Sequence, residues 1–140
     1  GYTEDTFVID YPLKNDNNKI QEALTVCYTI AKVEIPLSSG TFPTSRYSLI
    51  QIYPETGRRH QIRRHLAHIL HPIIGDRPHG CNKQNRFFNS QFGMNTMMLH
   101  ASELTFSHPV LQNEIKIVAT IGGEFERMYN LLGFGQAINP

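Results

Sequence analysis

The chain has 140 residues, 40% of them hydrophobic and 18% charged, and a net charge of +1. This is globular composition, long enough for one domain with a core. No apolar run reaches the ~18–20 residues of a membrane-spanning helix and no basic start leads into an apolar signal segment, so the expected setting is cytoplasmic, with no membrane partner.

In chain order, "NDNNK" (15–19) reads as a polar loop. "LTVCYTIAKVEIP" (24–36) is β-branched and aromatic and predicts a strand. A turn cluster at 38–44 precedes a second strand over 45–54, with Tyr47, Leu49, Gln51 and Tyr53 on one side and Pro54 closing it. After the Thr56-Gly57 turn, Ile62, Leu66, Ile69 and Leu70 fall on one face of a helix predicted over 59–70, which Pro72 ends. Residues 73–86 read as a long polar loop. Residues 97–109 and 113–120 predict two strands joined around Pro109–Gln112. Phe125, Met128, Leu131 and Leu132 predict a helix over 123–134, stopped at Gly133. The order is not a βαβ alternation. It predicts an α+β domain with a mixed, largely antiparallel sheet and flanking helices.

Cys27 and Cys81 form neither a CxxC pair nor a disulfide framework. They read as two unrelated thiols of a reducing compartment.

The small net charge hides an asymmetry. Residues 56–102 hold seven Lys/Arg and a single acid, Asp76, whereas the remainder holds six basic residues and eleven acids. A basic side facing a polyanion is one reading, and neutralisation between the two parts of the chain is the other. On the predicted helix, with Ile62 at zero, Arg63 falls at about 100°, bordering the apolar face, and Arg64 at about 200°, opposite it. Arg64 should meet solvent or an exposed anion. Arg63 needs a carboxylate or phosphate, with Glu34, Glu55 and Asp76 as structural candidates. Arg58 and Arg59 stand at the helix start, where a bound phosphate would offset their repulsion with the N-terminal dipole. His65, His68 and His71 fan across about 120° instead of converging. They read as surface or capping histidines, with no metal site expected.

"PETGRRHQIRRHLAHILHPIIGD" (54–76) resembles the third motif of the RluA-type pseudouridine synthases, and "LHASELTFSHP" (99–109) their later L-H-A…L-x-F-x-H-P element. "DYPL" (10–13), "FPTSRYSLI" (42–50) and "LLGF" near the C-terminus extend the likeness over most of the chain. The resemblance implies isomerisation of an RNA uridine to pseudouridine, with tRNA as the substrate. The base is detached at N1, turned and rejoined through C5 without cofactor or metal. It makes Arg63 the basic residue that supports the catalytic aspartate. Ile62 is placed near the flipped uracil, and Arg58, Arg59, His60 and Arg64 become phosphate contacts. Leu99 and His100 belong to a structural strand behind the site.

The family's aspartate lies in an H-R-L-D segment. The aspartates here, Asp5, Asp10, Asp16 and Asp76, have no such context. The chain begins with Gly-Tyr, not Met, and aligns from just after the family's tyrosine strand. Residues 1–140 are therefore expected to be the C-terminal part of the catalytic domain, inactive alone, with Arg63's carboxylate on the absent half. Such a piece should expose sheet edges and either self-associate or have disordered segments, especially near 14–22 and 78–96. The alternative is a non-catalytic RNA-binding module.

Overall fold

A computed structural model describes residues 1–138. Three antiparallel strands form the main sheet: β1 (Thr6–Asp10), β4 (Leu24–Ile35) and β5 (Ser45–Pro54), with β4 central. Between β1 and β4 a two-residue ribbon, β2 (Leu13–Lys14) with β3 (Ile20–Gln21), closes around the "NDNNK" turn. Asn15 builds that turn, its Oδ1 accepting the N–H groups of Asn17 and Lys19.

One extra residue decides how the sheet is covered. The pairing passes from Thr29↔Ile50 to Ala31↔Leu49, leaving Ile30 unmatched in a β-bulge. Before the bulge, the odd residues of β4 share a face with the even residues of β5. Cys27, Ile50 and Ile52 accordingly pack with Ile9, Leu66 and Ile73. After it they share a face with the odd residues, and Ala31, Val33, Tyr47 and Leu49 pack beneath Phe134 and Leu132. The two halves of the sheet are thus covered on opposite sides. Tyr47, Leu49, Gln51 and Tyr53 do share a face, but Gln51 and Tyr53 lie beyond the cover and are exposed.

The sheet is followed by α1 (Gln61–His68), α2 (Asn82–Phe92), the antiparallel ribbon β6 (Glu103–Ser107) with β7 (Glu114–Val118), α3 (Gly123–Leu131) and α4 (Phe134–Ile138). All strand pairs among the described residues are antiparallel, and the fold is α+β. A third cluster joins Phe88 of α2, Met94 and Met128 of α3.

Several expectations are corrected. The helix predicted over 59–70 is shorter, because Leu70 turns left-handed (φ 63°) as the chain leaves for Pro72; its side chain is 85% exposed, not core. The loop predicted over 73–86 ends at Cys81, and α2 occupies much of the stretch expected to be disordered. Its asparagines are weak helix formers, but burial of Phe88 and the left-handed Gly93 after its last turn define it. The strand predicted over 97–109 is confined to Glu103–Ser107. Leu99 and His100 precede it in irregular chain, Leu99 against the core and His100 Nε2 3.0 Å from the Ala119 carbonyl.

Candidate active site

Two buried polar residues fix α1 against β4. Gln61 donates from Nε2 to the Leu24 carbonyl (2.9 Å) and to Thr25 Oγ1 (3.0 Å). Its Oε1 accepts the Arg58 N–H (3.0 Å) and the Thr56 hydroxyl (2.7 Å). His65 is wholly buried, with Nε2 2.9 Å from the Tyr11 carbonyl and Nδ1 2.9 Å from Thr25 Oγ1. A carbonyl can only accept, so Nε2 carries the proton and Nδ1 receives the Thr25 hydroxyl. Burial pushes the imidazole's pKa below its usual value, which favours this neutral form. The expectation of a surface histidine is corrected here. His68 does lie outside, its ring stacked on Tyr11 at 3.6 Å, and His71 is half-buried, so the three histidines do separate jobs. Among the described residues no group of three His, Cys, Asp or Glu side chains lies close enough to hold a metal.

Fixing these two residues directs the next positions of the helix. Ile62 is half-buried, packs beside Ile50 and Ile52, and lines the open cleft next to β5. Arg63 sits at the border of the apolar face, as its spacing predicts, and its carboxylate is within this chain. Nε and Nη2 donate to Asp76 Oδ2 and Oδ1, both at 2.8 Å, in a bidentate pair. The Asp76 side chain is 1% exposed and that of Arg63 16%. Arg63's hydrogen bonds, against the cost of burial, hold the Asp76 carboxyl below the usual carboxylate range.

The Asp76 loop is held from two sides. Asn85 of α2 donates to the Asp76 carbonyl and accepts the Gly75 N–H, both at 2.8 Å. Gly75 has φ 81°, and a Cβ there would meet the Thr96 carbonyl oxygen at 1.9 Å; a Cβ on Gly80 would meet that of Asp76 equally closely. The His79 N–H donates to Asp76 Oδ1, and the His79 ring lies 3.1 Å from His60 Nδ1.

The other arginines reach the β2–β3 ribbon and the chain just after it. Arg59 pairs with Asp16, Arg64 donates to the Lys14 carbonyl, and Arg58 donates to that of Glu22. Part of the charge asymmetry is therefore neutralised internally, by Asp16 from the acidic remainder of the chain. Arg77, Lys83 and Arg86 stay exposed. Cys27 is buried and its thiol is pushed up to about 11, leaving it inert.

A family model described as RNA pseudouridylate synthase matches residues 9–68, including α1 through His68. The tRNA pseudouridine synthase C of Vibrio parahaemolyticus is 43% identical over 140 aligned positions that take in 92% of this chain and 57% of the relative. That of Vibrio cholerae is 40% identical, with 99% of this chain and 61% of the relative covered. The chain belongs to the pseudouridine synthase family. A solved structure, human RNA pseudouridylate synthase domain containing 1, shares the fold at a TM-score of 0.60 and 20% identity, covering 94% of this chain and 61% of that one. The chain spans less than two thirds of the length of these pseudouridine synthases.

Of the site residues expected from the sequence, Ile62 and Arg63 lie together at the inner border of α1, while Arg58, Arg59 and Arg64 turn toward 14–22 and His60 toward His79. Sequence reasoning missed Gln61, His65 and Asn85 as the residues that place them. Gln61 and His65 flank the helix's apolar stripe, the one signal available. Nothing in the sequence marked Asn85.

Proposed function

We propose that this chain is the C-terminal part of the catalytic domain of an RNA pseudouridine synthase that isomerises a uridine in tRNA, working in the cytoplasm. The observation that carries this reading is the 40–43% identity to tRNA pseudouridine synthases C over 92–99% of the chain. The catalytic aspartate lies outside these 140 residues, and the chain alone is inactive. Arg63 is the supporting catalytic residue. Its pair with Asp76 occupies Nε and one N–H of Nη2, so three N–H donors of the fork are left among the described residues. Those donors keep the catalytic carboxylate ionised as the base is detached, and the Asp76 pair fixes the guanidinium plane beforehand. Ile62 packs against the flipped uracil. Arg58, Arg59, His60 and Arg64 exchange their present partners for RNA phosphates, which position the RNA without reading its sequence.

The second reading, an RNA-binding module without chemistry, is favoured by exposed Arg77, Lys83 and Arg86. Tritium release from C5-labelled uridine in tRNA separates the two, measured with this chain and with the chain extended upstream at its gene. Release by the extended protein alone is the expected result. Release by the chain alone would make Asp76 the first candidate for the catalytic group. Binding without release by either favours the module.

A further inference from the structure

Arg63 is fixed by Asp76, and Asp76 is fixed in turn by a neutral side chain. Asn85 Nδ2 donates to the Asp76 carbonyl and Oδ1 accepts the Gly75 N–H, both at 2.8 Å. The partners decide which way the amide points, since a carbonyl can only accept and an N–H can only donate. Among the described residues, Asn85 is the one side chain from outside the 73–80 loop that bonds the backbone of that loop.

The loop has little room to shift. Gly75 lies against the Thr96 carbonyl and Gly80 against that of Asp76, and the Met98 N–H donates to the Ile74 carbonyl (2.8 Å). Asn85 is anchored as well. Its own N–H donates to the Cys81 carbonyl (2.9 Å) in the first turn of α2. Beside it, Gln84 accepts the Tyr47 hydroxyl (3.0 Å) and donates to Ser39 Oγ (2.9 Å). Phe88, a turn further on, is 1% exposed and meets the Tyr47 ring edge-on at 5.1 Å. The first turn of α2 thus joins the core to the carboxylate that orients Arg63.

We propose that Asn85 is a positioning residue for the synthase reaction: through Asp76 it sets the plane of the Arg63 guanidinium, and so the direction of the donors that Asp76 leaves free. A bidentate pair transmits orientation because the fork and the carboxylate share a plane. A misplacement of about 1 Å at such a group costs on the order of a hundredfold in rate. The position requires an amide. Aspartate has the same size but cannot donate to the Asp76 carbonyl. This rests on the reading of Arg63 as the supporting catalytic residue, so one arm of the test needs no turnover.

In the extended protein, Asn85→Ala and the isosteric Asn85→Asp should each lower kcat at least about tenfold, with KM and tRNA affinity unchanged. Asn85→Asp carries the test if Asn85→Ala fails to fold. Gln84→Ala loosens the same turn on its other side and should lower stability while leaving kcat unchanged. The ammonium of Arg63→Lys is a point charge with no plane to orient, so adding Asn85→Ala to it should leave kcat where Arg63→Lys alone puts it. In the isolated chain, solvent exchange of the Arg63 Nε–H, followed by NMR, should speed up at least about tenfold in the Asn85 variants and stay unchanged in Gln84→Ala. Unaltered kcat in the Asn85 variants would overturn the proposal. So would a full additive loss in the Arg63→Lys background, or an equal loss of kcat in Gln84→Ala. An extended protein that releases no tritium would sink the synthase reading instead, and unchanged Nε–H exchange in the Asn85 variants would then overturn this proposal separately.

Discussion

At the residue scale, the Arg63–Asp76 pair dominates. Removing one member of a buried ion pair leaves the other uncompensated, so Asp76→Asn should cost about 3 kcal/mol in urea unfolding. Asp76's pKa is lowered in the fold, so the pair's stabilisation is present above the ordinary carboxylate pKa and lost as pH falls through the folded value. His65 acts at higher pH. Its folded pKa is lowered, so the unfolded chain binds the extra proton first. Its contribution is full above the ordinary histidine pKa of about 6.5 and declines as pH falls below it. The urea midpoint should therefore drop between pH 7.5 and 5.5. His71 is shifted in the same direction by burial, so His65→Gln should reduce that dependence without abolishing it. In the extended protein, Arg63→Ala should lower turnover on the order of a hundredfold or more with RNA binding nearly intact. Arg64→Ala should weaken binding and reduce the salt slope by ~0.7–0.9. Equal effects of the two substitutions on both quantities would refute this division of roles.

At the scale of elements, α1 is placed by polar contacts as much as by its apolar stripe. Gln61 satisfies groups of Leu24, Thr25, Thr56 and Arg58 at once. Gln61→Ala leaves the part-buried Arg58 N–H and Thr56 hydroxyl without their acceptor, and the loss should be about 2 kcal/mol, measured by chemical denaturation. The variant should also loosen the Thr56–Arg58 turn that presents the basic residues. This element was partly legible. The 3.6-residue period located the helix and put Arg63 at its border. The period could not foresee that Leu70 would leave the face, because the terminating left-handed turn depends on where His71 and Pro72 must go. α2 was illegible, since its few apolar residues have no clear period and its stability comes from Phe88, Met94 and Met128 meeting across the chain.

At the scale of the molecule, order should be uneven. β4 is paired on both sides and carries most of the core, whereas β6 and β7 are paired on one side each and exposed on both faces. Amide exchange in the isolated chain should be at least about a hundredfold faster in β6–β7 than at Cys27 or Val33 of β4. Comparable protection in the two would contradict it.

The sequence by itself determined the family, through the ordered motif around Arg63, and the α+β class with its longest strands, through local periodicity and turn residues. These are properties of neighbours along the chain, and adjacent side chains suffice to specify them. Only the tertiary structure decided that Asp76 is Arg63's partner, that His65 is buried and neutral, that Ile30 switches the covered face of the sheet, and that β5 and β6 border an open gap. Each depends on segments far apart in sequence meeting in space, where burial and the demand to satisfy every enclosed polar group override the local pattern.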